Sequence, residues 1–269
     1  MNWRDATTTT LLPLTTAQRL GLITDMDGTI SPIVPQPDAA QITPLNRELL
    51  QALAERLALV AVVSGRAVAD VHWRVGLPGL VYVGNHGLEQ WVNGQVEASP
   101  EALPYRPALE AALRDMRQQL VPGMTIDDKG ATLTLHYRQT VNPEATSAEF
   151  LPVIEGIAAR HGLACFQGRM VFELRPPLAI DKGTALRRLV DEHQLDAAIF
   201  MGDDTTDVDA LRTARELRTG GGCYALGIGV QSDDAPSAVI ETADLLVSGV
   251  SDVEAFMAWL LSVLRASSS

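Results

Sequence analysis

The sequence predicts an α/β protein whose core is a parallel sheet with crossover helices, and three observations carry that prediction. Short apolar runs recur between helical patterns, polar motifs stand directly after four of those runs, and one middle stretch alternates helix and strand without any such motif. That middle stretch predicts a smaller α/β unit inserted into the core. Prolines at 104 and 107 and at 176 and 177 mark candidate hinges, so the expected division is a core of residues 1–103 and 178–269 and an insertion of residues 104–177.

Taken in order, the run LGLIT leads to Asp25, LALVAVV to Ser64, LVYV to the GNHG turn and AAIFM to GDD. Runs this short and this apolar suit strands buried on both faces. In open α/β sheets the ligand crevice lies beyond the carboxyl ends of the strands, so groups scattered in sequence can converge on one crest. Helices are expected at 44–57 and 182–194. In the second, Ala185, Leu186, Leu189 and Val190 share one side, and Asp181 stands where an N-cap is needed.

The insertion reads as helices near 107–120 and 146–161 with strands ATLTLHYR and MVFELR. In the first strand Ala131, Leu133, Leu135 and Tyr137 face one way and Thr132, Thr134, His136 and Arg138 the other; in the second, Met170, Phe172 and Leu174 oppose Val171, Glu173 and Arg175. A small sheet follows, with helices on its apolar face and a mostly polar face left open, a shape that suits a lid over a polar ligand. The threonines at 7–10 and the serines at 267–269 read as frayed ends.

A chain of 269 residues with 46% hydrophobic and 20% charged residues has the material for a packed core and lacks the signature of disorder. Its net charge of -12 repels nucleic acid and anionic membrane surfaces, so neither is an expected partner. An anionic small molecule would need local positive charge, from a metal or from a few placed lysines and arginines. Cys165 and Cys223 stand apart without metal-ligand spacing, which argues against a disulfide framework or a zinc site and for a reducing cytoplasm. No run approaches the roughly 18 apolar residues of a membrane span, and the N-terminal segment has no signal-peptide core.

The segment DMDGT at 25–29 sets two carboxylates two residues apart after a buried strand, with a glycine that permits a sharp turn. Each motif alone has a plainer reading. The aspartate pair could cap a helix, Ser64 in SGR could cap the next one, Lys182 could be a solvated first-turn lysine, and the acids at 203–209 could form an exposed or calcium-type loop.

Together and in this order, DMDGT, Ser64, Lys182 and GDDTTD resemble the motifs of the haloacid dehalogenase superfamily of phosphohydrolases. The resemblance implies that Asp25 is a nucleophile that accepts a phosphoryl group and that Asp27 is the acid-base residue. Ser64 and Lys182 would hold phosphoryl oxygens. Mg²⁺ would be bound by Asp25, Asp203 and the backbone carbonyl of Asp27, with Asp204 and Asp207 supporting the metal or orienting Lys182.

The stretches DMDGTISPIVPQPDAA, VVSGR, GNHGLE, DDKGATLTLHYR, FELRP, DKGTAL and GDDTTDVDA are similar to the trehalose-6-phosphate phosphatase family over about residues 20–247. That resemblance implies a Rossmann-like core with an inserted α/β cap, and hydrolysis of trehalose 6-phosphate. It places Arg66, Asn85 and His86 at the core–cap junction and Asp127, Lys129 and Glu173 on the distal glucose. For His136 an ordinary interior polar role is preferred. Three departures stand out: Ile30 where leucine is common, Asp127 where glutamate is favoured, and Val208 where a carboxylate is frequent.

The expected partner is a small sugar phosphate bound by a monomer. A phosphatase for another sugar phosphate, of the sucrose phosphate or mannosyl-phosphoglycerate type, is the nearest alternative. A catalytically silent sugar-phosphate sensor is the other.

Overall fold

A computed structural model describes residues 1–34, 37–168, 170–233 and 235–266. In chain order the strands are β1 Leu20–Thr24, β2 Leu59–Val63, β3 Val81–Gly84, β4 Glu89–Val92, β5 Gln95–Ala98, β6 Thr125–Asp128, β7 Leu133–His136, β8 Ala164–Gly168, β9 Val171–Arg175, β10 Ala197–Gly202, β11 Tyr224–Gln231 and β12 Leu245–Ser248. The helices are α1 Pro44–Ala54, α2 Val68–Val75, α3 Arg106–Arg117, α4 Pro143–Arg160, α5 Lys182–Glu192, α6 Val208–Thr219, α7 Ser237–Thr242 and α8 Gly249–Ala266. The chain divides into two compact units, one of residues 1–96 and 180–269 and one of residues 97–179.

In the first unit the sheet order is β12-β11-β10-β1-β2-β3-β4-β5, with β12 through β3 all parallel and β4 antiparallel to β3. Side chains alternate across the strands, so each central strand feeds two apolar layers. Leu20 and Leu22 of β1 and Ile199 and Met201 of β10 join α1, α2 and α8 on one face, where Leu50, Leu53, Val71 and Phe256 pack. Ile23 and Phe200 turn to the other face, against Leu186 and Leu189 of α5, Leu211 and Ala214 of α6 and Val239 of α7. Both layers remove large apolar areas from water, the main favourable contribution to folding. The strand runs continue past their ends into the motifs: the Asp25 N–H donates to Met201 O at 2.8 Å and the Ser64 N–H to Val83 O at 3.0 Å.

Helix starts are specified locally. Thr43 accepts the N–H of Asn46 ahead of Pro44 in α1. Asp181 and Thr184 form a reciprocal capping box, each side chain satisfying the other's backbone N–H, so α5 begins at Lys182.

The second unit is a four-stranded antiparallel sheet, order β6-β7-β9-β8. Its apolar face carries Leu133, Leu135, Phe172 and Leu174 against Leu109, Leu113 and Met116 of α3 and Ile154 and Ile157 of α4. The register sets Asp127, Thr134, Glu173 and Phe166 in one row across the opposite face.

The threonines at 7–10 are not frayed. The segment holding them is pinned on both sides: Trp3 stacks edge-on against Phe256 and donates to Asp252, Leu11 and Leu14 are fully buried, and the Leu246 N–H donates to Met1 O at 2.9 Å. The serines at 267–269 lie outside the described residues. No helix among the described residues is long and apolar enough to cross a membrane.

Candidate active site

The carboxyl ends of β1 and β10 bring four charged side chains together in the first unit. Lys182, first residue of α5, donates from Nζ to Asp25 Oδ1 and to Asp207 Oδ1, both at 2.7 Å. Exposure is 4% for Asp25, 7% for Asp203, 0% for Asp207 and 2% for Lys182, so these charges interact with little help from water. Carboxylate oxygens of Asp25, Asp203 and Asp207 all lie within 4.8 Å of one another.

Asp207 is fully engaged. Its Oδ1 takes Lys182 while its Oδ2 accepts the N–H groups of Asp203 at 3.0 Å and Asp204 at 2.9 Å. It therefore orients the lysine and shapes the GDD turn. Asp204 turns outward and caps the short turn that follows, accepting the Thr205 N–H at 2.7 Å. Asp203 accepts the Thr29 hydroxyl at 3.3 Å, a contact the sequence reading did not include. Gly28 is required here: its φ is +80° and a Cβ would sit 2.0 Å from Asp203 Oδ2.

The charge balance is unfavourable without a cation. Burial raises the Asp25 carboxyl well above its ordinary range, Lys182 offsets part of this, and Asp207, Asp203 and Asp27 raise it further. Asp203 is pushed up to about 7, by burial first and then by Asp207. Lys182 behaves in the opposite sense: burial opposes its charge, but Asp207 and Asp25 outweigh it and hold its pKa above the ordinary value. One lysine thus serves three buried carboxylates. An all-oxygen donor set with surplus negative charge fits a hard divalent cation such as Mg²⁺.

Two further motifs are laced to this crest through their backbones. The Asn85 N–H donates to Arg66 O at 2.8 Å and the His86 N–H to Ser64 O at 3.0 Å, joining GNHG to SGR. Asn85 and His86 both take positive φ, 48° and 58°, and both are buried. The Ser64 hydroxyl, also buried, accepts the Arg66 N–H at 3.2 Å just ahead of α2. Arg66 reaches back to Asp27 with a two-point fork, Nε to Oδ2 at 2.6 Å and Nη2 to Oδ1 at 2.9 Å.

In the second unit, Lys129 Nζ lies 3.8 Å from Glu173 Oε1, and Asp127 stands in the same row as Glu173. His136 lies half-buried on that same polar face, opposite Val171. Two departures from the family pattern also have places. Ile30 is fully buried among apolar side chains, and Val208, first residue of α6, packs into the apolar layer with Leu211.

The sheet order and the crest of acids around a lysine define a haloacid dehalogenase-like fold. Solved structures share it. A trehalose-6-phosphate phosphatase related protein superposes with a TM-score of 0.76 at 23% identity, over 93% of this chain and 100% of that one. The C-terminal domain of the Candida albicans trehalose-6-phosphate phosphatase does so with a TM-score of 0.78 at 20% identity, over 96% and 98%. In sequence, the trehalose-phosphate phosphatase of Mycobacterium tuberculosis is 39% identical over 202 residues, 72% of this chain. The chain spans about half, 51%, of that relative's length. The trehalose-phosphatase profile matches residues 23–240, and the chain belongs to that family.

Proposed function

We propose that the chain is a Mg²⁺-dependent phosphatase that converts trehalose 6-phosphate to trehalose and phosphate through an aspartyl-phosphate on Asp25. The observation that carries this reading is the buried Lys182 bridge between Asp25 and Asp207, with Asp203 alongside, in a chain of the trehalose-phosphatase family. Lys182 fixes one oxygen of Asp25, and the other attacks phosphorus as the bond from phosphorus to the sugar oxygen breaks. Asp27 gives its proton to the departing sugar oxygen. The fork of two Arg66 N–H donors, one on each Asp27 oxygen, suits the ionised carboxylate, the form that takes a proton in the second half of the cycle. Water then attacks phosphorus, Asp27 takes its proton, and phosphate leaves with Asp25 regenerated.

Asp25, Asp203 and the backbone carbonyl of Asp27 would hold Mg²⁺, with Asp204 and Asp207 in support. The ion would supply the positive charge that lets an anionic nucleophile approach an anionic phosphoryl group. Ser64 and Lys182 would donate to phosphoryl oxygens. Arg66, Asn85 and His86 would line the approach to that crest, and the second unit would act as a cap, with Asp127, Lys129 and Glu173 bonding sugar hydroxyls. Its polar row and the Lys129–Glu173 pair support that role. The chain would work as a monomer in a reducing cytoplasm, and the free thiols of Cys165 and Cys223 suit that compartment.

A panel assay of phosphate release tests the reading, using trehalose 6-phosphate, sucrose phosphate and mannosyl-phosphoglycerate with Mg²⁺ and with chelator. Preference for trehalose 6-phosphate, lost with chelator, is expected. Equal rates on all three would sink the narrow assignment, and binding without phosphate release would favour a sensor.

A further inference from the structure

We propose that Asp70 and Arg74, two residues of α2 with no assigned role, are positioning residues for turnover that hold Arg66 and through it aim the Asp27 carboxyl. The inference rests on the phosphatase reading above and names residues that this reading does not use. The Asp27 side chain is 35% exposed, so packing alone does not fix it. Arg66 grips both of its oxygens, but a fork of two parallel hydrogen bonds fixes the two groups only relative to each other; the pair could still swing as one plate.

The remaining edge of the Arg66 guanidinium settles that freedom. Nη1 donates to Asp70 Oδ2 at 2.9 Å. Asp70 in turn receives Arg74 Nε on both oxygens at 2.9 Å. Arg74, its side chain only 3% exposed, is anchored by donating from Nη1 to the carbonyls of Asp38 at 2.9 Å and Ala40 at 2.6 Å.

A continuous train thus runs from the backbone of residues 38–40 through Arg74, Asp70 and Arg66 to Asp27. Arg66 precedes the helix, ahead of its N-cap Ala67, so its bond to Asp70 ties an irregular segment to a rigid one and is not a pair within a helix. The planar guanidinium suits this relay because it offers separate edges to separate carboxylates in one fixed geometry. Groups that act at a reacting centre need their own geometry fixed by a supporting shell of this kind.

The test is a double-mutant cycle on kcat and KM for trehalose 6-phosphate with Mg²⁺, using Asp70→Asn, Arg66→Ala and the double variant, with thermal unfolding of each. Asp70→Asn keeps the shape and one acceptor. Its expected effect is a loss of about 10-fold in kcat with KM changed less than about two-fold, and the double variant should be no slower than Arg66→Ala alone. Asp70→Glu, which keeps the charge, should recover part of the rate. In NMR spectra of Asp70→Asn the Arg66 Nε–H should exchange faster with water, a readout independent of activity.

An unchanged kcat in Asp70→Asn, losses that multiply in the double variant, or an Arg66 Nε–H as protected as in the parent would each overturn the proposal. A parent chain that releases no phosphate overturns the phosphatase reading and this proposal with it. An active parent with independent losses overturns this proposal alone.

Discussion

The crest of the first unit and the polar face of the second unit are held in opposite ways. At the crest, Asp25, Lys182 and Asp207 are buried and every bond between them is 2.7 Å. On the polar face Asp127 is exposed, and the Lys129–Glu173 pair stands at 3.8 Å with 14% and 12% of its side chains accessible. Buried, short and charge-assisted contacts leave little to rearrange when charge develops in a reaction. Looser contacts adapt to a ligand at small cost. The difference suits the proposed division, chemistry at the first region and recognition at the second, and substitutions should separate the two.

The largest effect is expected for Asp25→Asn, which removes the proposed nucleophile while preserving shape. Turnover should fall at least about 10³-fold, with no phosphoenzyme trapped in acid and an unchanged far-UV circular dichroism spectrum. Normal turnover would remove the covalent mechanism. Lys182→Met should lower kcat by about 10²- to 10³-fold and should also destabilise the fold by about 3–5 kcal/mol, because two buried carboxylates lose their cation. Denaturant unfolding would measure the second loss. A variant as stable as its parent would show that the crest is less tightly coupled than its geometry implies.

Metal removal should show an intermediate effect that depends on pH. Asp203 is raised to about 7, so the folded chain binds this proton more tightly than the unfolded chain does. Its contribution to stability is therefore present at low pH and is lost as pH rises through about 7. Mg²⁺ should relieve that loss, raising Tm more at about pH 8 than at about pH 5. Equal shifts at both values would count against Asp203 as a ligand.

The smallest effect belongs to the polar face. Under the proposed reading, in which Glu173 bonds sugar hydroxyls, Glu173→Ala should cost about 10-fold in kcat/KM on trehalose 6-phosphate and almost nothing on a small aryl phosphate. A parallel loss on both substrates would mean that the residue serves the chemistry or the fold.

The crest was legible because parallel strands buried on both faces read as unbroken apolar runs, and their ends pointed to Asp25, Ser64, Asn85 and Asp203. Lys182 was legible only in company, through its order with DMDGT, Ser64 and GDDTTD; Asp181 announces the start of α5 but says nothing of the lysine's role. Edge strands were harder. β6 reads TIDD and β8 reads ACFQG, and both owe their place to backbone pairing with β7 and β9 more than to apolar pattern. The β4–β5 connection did carry a signal that went unused, an Asn93-Gly94 turn with φ of 50° and 83°. Asp70 and Arg74 follow Arg66 at intervals of four, but charges so spaced on a helix usually face solvent. Only the folded chain shows Arg74 turned inward.

Gly28 and Asp203 occupy one space although 174 residues separate Asp203 from the neighbouring Thr29. The site is therefore closed by the pairing of β1 with β10, after the whole intervening chain, second unit included, has been made. A nascent chain carries Asp25 and Asp27 early, but it has no partner for Lys182 other than Asp25 until Asp207 has emerged. If the proposed phosphatase activity holds, its onset during refolding would time the joining of the two halves of the central sheet, making the chain its own reporter of a long-range folding step.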